Sequence, residues 1–231
     1  MSVLALDIGG SSIKYALVRL SRHDAHIVTS FEPIPLVSNK FDDLREQVAA
    51  CVSAGIGLAP EVRAVAVSTT GSVDQNGTVL NAGHFVGYSN VSWRDILLPR
   101  FPQLTKVVTV NDGKASTWAE YIASGRRSGS FVHIVVGTGV GGGIVIDSRL
   151  YYGDHLAAGS VGHIKVTAER NVACSCQRYG CVETLAAAPA VVRAFTDRPG
   201  TTLGDVVSAA RNGDERALSA LTEAGRWLGV A

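Results

Sequence analysis

Twice along this chain an apolar strand runs into glycines and leaves along a second apolar strand. Residues 3–8 lead into Gly9, Gly10 and Ser11 and out along 13–18; residues 132–136 lead into the glycine-rich stretch 137–143 and out along 144–147. One strand–turn–strand pattern at the start of each half reads as a duplicated domain with one glycine hairpin per copy. The expected domains are 1–115 and 116–231. Either run alone is an ordinary β-hairpin. As a pair they can hold an oligophosphate, because N–H groups freed at glycine turns form anion-binding nests. No G-x-x-x-x-G-K-[ST] is present, which excludes a P-loop, and a dinucleotide fingerprint, which must open a helix, is not met either.

The remaining pattern is that of an α/β chain. A third strand near 26–32 completes a meander after the first hairpin. Phe41, Leu44, Val48, Cys51 and Val52 recur at helical spacing and predict a helix over 40–54, with Cys51 as plain core. Apolar runs at 62–68 and 107–110 read as buried parallel strands. The second ends at Asn111-Asp112, and a helix follows through Ala115, Trp118, Ala119 and Ile122 with Asp112 as its cap. Helices are also predicted over 203–211 and from Asp214, the last with Ala217, Leu218, Leu221, Gly225 and Leu228 as its apolar stripe.

Three of the four cysteines, Cys174, Cys176 and Cys181, form a C-x-C-x4-C run with His163 eleven residues upstream of the first. Thiolates and imidazole suit tetrahedral zinc, and one His with three Cys closes a structural site. The alternative is a disulfide with a stray thiol, although a ring joining Cys174 to Cys176 would be strained.

Lys and Arg number 21 against 20 Asp and Glu, a formal charge of +1. No global basic field draws such a chain to nucleic acid or an anionic membrane. No stretch approaches ~18 consecutive apolar residues, and the N-terminus reads as a strand without a signal peptide's basic head. A reducing cytoplasm is the expected setting.

Taken in order, Asp7-Ile-Gly-Gly-Ser11, Val110-Asn-Asp112, Gly137-Thr-Gly-Val-Gly-Gly-Gly143, Gly162-His163 and Cys174-x-Cys176-x4-Cys181-x-Glu183 resemble the motifs of the ROK family of bacterial sugar kinases and sugar-responsive repressors. The resemblance implies the actin-like ATPase (ribonuclease H-like) fold, two α/β lobes with a zinc-binding loop, and transfer of phosphate from ATP and magnesium to a sugar hydroxyl. By resemblance, Asp7 helps position magnesium, with Gly9, Gly10 and Ser11 against the phosphates. Thr138, Gly139 and Gly141 form the second phosphate loop. Asp112 is the catalytic base, and Asn111, His163 and Glu183 are sugar ligands, with His163 also on zinc beside Cys174, Cys176 and Cys181. The sugar pocket further includes Gly71, Asn81, His84 and Ser160. Family likeness also implies a homodimer. Such chemistry asks for positioning, charge neutralisation and one carboxylate near the attacking hydroxyl.

Four positions depart from the family pattern. Ser160 stands where glutamate is usual, His84 where asparagine is, Gln177 where glycine follows the second cysteine, and Lys114 where asparagine is. The magnesium and phosphate residues are intact, so the sugar is what the sequence leaves open. The leading reading is a kinase of hexoses or N-acetylhexosamines; the alternative is a catalytically weak sugar-binding or regulatory protein. A repressor would need a reading head before the first strand, which begins at residue 3. Family members usually run to about twice a typical ~150-residue domain. The expectation is therefore a piece of a longer kinase, incomplete at its C-terminus and short of most of the adenine pocket.

Overall fold

Leu4, Leu6 and Ile8 are all buried and alternate along β1 (Ser2–Ile8), so they share one covered face, while on the other Val3 is buried and Ala5 and Asp7 are half-buried. The structure, a computed structural model, describes residues 1–21, 25–83, 85–125, 129–169 and 172–231. Gly9 donates its N–H to the Ser12 carbonyl at 3.0 Å, and β2 (Ser12–Leu20) returns antiparallel to β1. β3 (Ala25–Ser30) and the short β4 (Ile34–Pro35) both pair antiparallel with β2.

Helix α1 (Phe41–Leu58) runs past the expected end at 54. Its Gly55 comes so close to the sheet that an added Cβ would lie 2.6 Å from Leu4 Cδ1. Sheet contact here overrides glycine's weak helix propensity. Leu44, Val48, Cys51 and Val52 face the core with Leu4, Ile8 and Ile13. Burial pushes the Cys51 thiol up to about 11, which suits plain core.

β5 (Ala64–Thr69) lies parallel to β1. Next come β6 (Ser72–Val73), β7 (Thr78–Asn81) and β8 (Val91–Ser92), which form a separate antiparallel sheet. Helix α2 (Trp93–Arg100) starts at Ser92, whose Oγ accepts the Asp95 N–H at 3.2 Å. Sequence periodicity did not reveal these pieces, since strands of two or four residues are too short to carry it. β9 (Lys106–Asn111) lies parallel to β5 and completes the order β3-β2-β1-β5-β9. Expected to be buried, it is the last strand of that order, with Thr109 buried and Val108 exposed. Asp7, Ser68 and Val110 share one register line across the three parallel strands. Asp7 and Asn111 therefore lie at the carboxyl ends of β1 and β9, where open α/β sheets place ligands.

Two compact units result, Met1–Ala115 and Ser116–Ala231, with the boundary inside α3 (Asp112–Ala123). The second unit opens with an antiparallel meander, β10 (Phe131–Val136), β11 (Val140–Ile146) and β12 (Arg149–Tyr151). The glycine turn is shorter than expected. Only 137–139 bridge the strands, and Gly141 to Gly143 belong to β11, with Gly141 opposite Val135. Their lack of side chains serves close packing: a Cβ on Gly142 would lie 2.3 Å from the His133 carbonyl oxygen, and one on Gly143 2.6 Å from Thr117 Oγ1.

Four helices complete this unit: α4 (Glu183–Ala186), α5 (Ala188–Phe195), α6 (Leu203–Arg211) and α7 (Glu215–Val230). Thr202 and Asp205 form a reciprocal capping box on α6, and Asp214 caps α7 through the Ala217 N–H at 3.0 Å. The buried side of α7 is Ala217, Ala220 and Ala224, with Leu221 and Leu228 half-buried. Leu218 and Gly225, expected in the stripe, are exposed. Small residues let α7 pack closely, so the alanines and not the larger Leu218 take the inner face. Among the described residues no helix is long and apolar enough to cross a membrane.

Candidate functional site

In the first unit the site is built where β1, β5 and β9 end. Asp7 Oδ1 accepts from Ser68 Oγ at 3.0 Å, a partner that strand register places beside it. Lys14 Nζ lies 3.9 Å from the other oxygen, in a pair open to solvent. Gly9, Gly10 and Ser11 make the turn just beyond Asp7, and the Ser11 carbonyl accepts from Leu36 N at 3.0 Å.

Asp112 does not cap α3. The cap is Asn111, whose Oδ1 accepts the Lys114 N–H at 3.1 Å, because a capping oxygen must reach the N–H three residues on. Asp112 is already the first helical residue. Its Oδ1 accepts from the Gly113 N–H at 2.7 Å and from Asn111 Nδ2 at 2.9 Å. Asn111 Nδ2 also donates to the Gly71 carbonyl at 2.9 Å. Two donors thus hold one carboxylate oxygen of Asp112 and fix the direction of the other. Burial of part of the group raises the Asp112 pKa, and the charge of Asp7 adds to that, opposed by the donors from Gly113 and Asn111.

Gly71 has φ +93, and an added Cβ would lie 2.4 Å from the Asn81 carbonyl oxygen. Only glycine suits that position. Gly71, Asn81, Asn111 and Asp112 therefore form one neighbourhood, while His84 lies outside the described residues. Lys114 is only 4% exposed, and burial lowers its pKa.

In the second unit His163 ends a 3-10 turn, Val161–His163, and its N–H donates to the Ser160 carbonyl at 3.1 Å. The Ser160 side chain makes no capping bond. An added Cβ on Gly162 would lie 2.0 Å from the Val140 carbonyl oxygen, so the turn rests directly on β11.

His163, Cys174, Cys176 and Cys181 converge, with their potential ligand atoms all within 4.8 Å of one another. Cys176 Sγ is 3.6 Å from Cys181 Sγ, and Cys174 Sγ is 3.4 Å from His163 Nδ1. A zinc tetrahedron with ordinary bond lengths has S···S edges of about 3.7 Å and S···N edges of about 3.6 Å. The donor set and its spacing fit that ion. All four cysteines are free thiols, which excludes the disulfide alternative in this structure.

Gln177 adopts φ +65 at the tip of the cysteine loop, and its N–H donates to the Cys174 carbonyl at 2.8 Å. This left-handed position favours glycine. Gln177→Gly is therefore expected to raise stability by about 0.5–1 kcal/mol, read as a higher midpoint in urea. An unchanged or lower midpoint would show that the turn is not strained.

Glu183, the first residue of α4, is half-buried with both oxygens engaged. Oε2 accepts from the Val140 N–H at 3.0 Å and Oε1 from Ser175 Oγ at 3.1 Å. Thr138 is exposed at the tip of the turn. Beside it lies an open pocket of about 370 Å³ whose walls include Pro189, Val192, Arg193, Thr202 and Leu203. The sequence reading missed Ser68 and Ser175, since serines beside motif residues carry no signal until the chain is folded.

A model of the ROK family matches residues 3–231. An N-acetylmannosamine kinase of Vibrio cholerae serotype O1 is 33% identical over 194 residues, 83% of this chain and 63% of that protein. One from Shigella flexneri is 32% identical over 232 residues, 99% of this chain and 76% of the relative. Among solved structures, a ROK family glucokinase from Streptomyces griseus in complex with glucose and AMPPNP is 29% identical with a TM-score of 0.81, covering 98% of this chain and 76% of that one. The chain thus spans less than two thirds of the length of the Vibrio relative and about three quarters of the other two. Its mixed α/β fold is that of the ROK sugar kinases, the actin-like ATPase fold.

Proposed function

We propose, from the premise that this chain belongs to the ROK family, that it carries the chemical machinery for ATP-dependent phosphorylation of a hexose or N-acetylhexosamine. The observation that carries this reading is Asp112: one oxygen is held by two donors, at 2.7 and 2.9 Å, and the other is left to take a proton. In the proposed step a sugar hydroxyl oxygen attacks the γ-phosphorus of ATP. The bond from that phosphorus to the ADP oxygen breaks, and the hydroxyl proton passes to Asp112 Oδ2. Asn111 acts by orienting Asp112, and one lone pair of its Oδ1 is left for a sugar hydroxyl.

The turn 9–11 and the turn at Thr138 and Gly139 are the proposed phosphate contacts; Gly141, expected with them, is instead paired with Val135 within β11. The open pocket beside Thr138, with Val192, Arg193 and Leu203 on its walls, is proposed to take only part of the nucleoside half of ATP. Magnesium, for which Asp7 is the proposed partner, supplies charge neutralisation on the nucleotide phosphates. His163, Cys174, Cys176 and Cys181 would hold zinc in a structural role. Gly71, Asn81, Ser160, His163 and Glu183 are the proposed surroundings of the sugar. The small side chain at Ser160 leaves room for a substituted sugar.

A coupled assay of ADP release with ATP, magnesium and a panel of hexoses and N-acetylhexosamines tests the proposal. Sugar-dependent release supports it. Sugar binding without release would favour the weak binding protein instead.

The raised Asp112 pKa has a consequence for pH. The base works only when ionised, so kcat/KM is expected to fall as pH drops through a value above the ordinary aspartate figure of about 3.9. An acid limb at or below that figure would count against Asp112. The stability effect has the opposite sense. Because folding raises this pKa, protonation of Asp112 favours the folded state, fully below the unfolded value, and this contribution is lost as pH rises through the folded value. The ionised carboxylate therefore works against stability at neutral pH.

A further inference from the structure

We infer that Glu183 is a positioning residue that couples the cysteine cluster to the glycine turn at 137–139. Its carboxylate sits between the two. Oε2 accepts the N–H of Val140, the residue that closes the turn, at 3.0 Å. Oε1 accepts from Ser175 Oγ at 3.1 Å and lies 3.7 Å from Cys174 Sγ. Ser175 stands between two members of the His/Cys cluster, and Glu183 is two residues beyond a third.

Gly139 is fitted to this arrangement. A Cβ there would lie 2.6 Å from Glu183 Oε2, so glycine lets the carboxylate seat against the turn without shifting. The other end is held by the same part of the chain, since the Gly137 carbonyl accepts the Ala188 N–H at 2.8 Å. A carboxylate on a backbone N–H is a charge-assisted bond, stronger than a neutral one and sensitive to direction. Ordering of the cysteine loop fixes Ser175 and Glu183, and these fix the direction of the Val140 N–H. Metal in the cluster and shape of the turn are thereby linked through one side chain.

This use of Glu183 is separate from a sugar contact, because a carboxylate has about four lone-pair sites and the two bonds occupy only some of them. The effect on nucleotide rests on the proposed reading of the turn as a phosphate loop; the coupling itself does not.

The experiment compares Glu183→Ala, Glu183→Gln and Ser175→Ala with wild type by amide hydrogen exchange over 137–140 and by the KM for ATP. The Gln amide keeps the arrangement, its oxygen accepting from Val140 and its NH2 donating to Ser175. Glu183→Ala is expected to speed exchange in the turn about tenfold and to raise the ATP KM by a similar factor. Glu183→Gln, which keeps both contacts without the charge, and Ser175→Ala are each expected to fall between Glu183→Ala and wild type. Stripping metal with a chelator should speed exchange at 137–140 in wild type and add little in Glu183→Ala. If Glu183 serves only the sugar, Ala and Gln will raise the sugar KM alike and leave turn exchange unchanged, which overturns the coupling. Should Glu183→Ala fail to fold, Ser175→Ala with unchanged exchange in the turn would overturn it equally. Absence of turnover in wild type, the expected result for a chain short of most of the adenine pocket, leaves the exchange comparison to decide the coupling.

Discussion

Replacing Asp112 by Asn is expected to lower turnover by about 10²–10⁴-fold, or ~3–5 kcal/mol of barrier, with sugar affinity nearly unchanged. The Asn oxygen can still accept from the Gly113 N–H and Asn111 Nδ2, now at 2.7 and 2.9 Å from the carboxylate. The geometry of the helix start is therefore kept, and only the capacity to take a proton is removed. The raised pKa of Asp112 supplies an internal control. Because the ionised group opposes folding at neutral pH, the Asn variant should melt no lower than wild type, so lost turnover could not be laid to misfolding. Steady-state kinetics and a thermal melt on one preparation test both halves. Retention of more than half the wild-type turnover would remove Asp112 from the role of base.

The second large effect is expected at the cysteine cluster. Metal analysis should find one zinc per chain, and binding at such sites is worth on the order of 10 kcal/mol, coupled to folding. Among the described residues few backbone bonds hold the loop otherwise. Isolated bridges pair Lys165 with Cys181 and Ala173 with Tyr179, and Cys174 closes its own turn through Arg178 and Gln177. Chelation, or Cys181→Ser, should therefore leave the region around 160–185 open to protease and lower the melting temperature of the second unit. Cys51 offers a contrast, since it belongs to the core of the first unit and the cluster to the second, and Cys51→Ala should keep full zinc content. Zinc-free protein with an unchanged melt would refute a structural metal here.

Local chemistry made some of this protein legible in advance. Apolar runs bounded by turns marked β5 and β9, because a buried parallel strand needs no alternation, although β9 proved to be an edge strand with Val108 47% exposed. The heptad-like spacing of Leu44, Val48 and Cys51 marked α1, and the C-x-C-x4-C run marked a loop that could close on one ion. Glycine was harder to read. A glycine is chosen equally for a turn or for a neighbour pressed against it, and only the neighbours tell which. Hence Gly141 to Gly143 read as turn but are strand, and Gly139 is shaped to a carboxylate far along the chain.

Hydrogen-bond partners were decided by tertiary structure alone. Sequence order placed Asn111 beside Asp112, but which of them caps α3 depends on which oxygen reaches the Lys114 N–H. Likewise Glu183 stood in a recognisable motif, while its hold on Val140 follows from β11 and α4 meeting in space. Periodicity and residue type record what each segment must bury. Direction and distance between side chains from separate segments are set only when those segments pack.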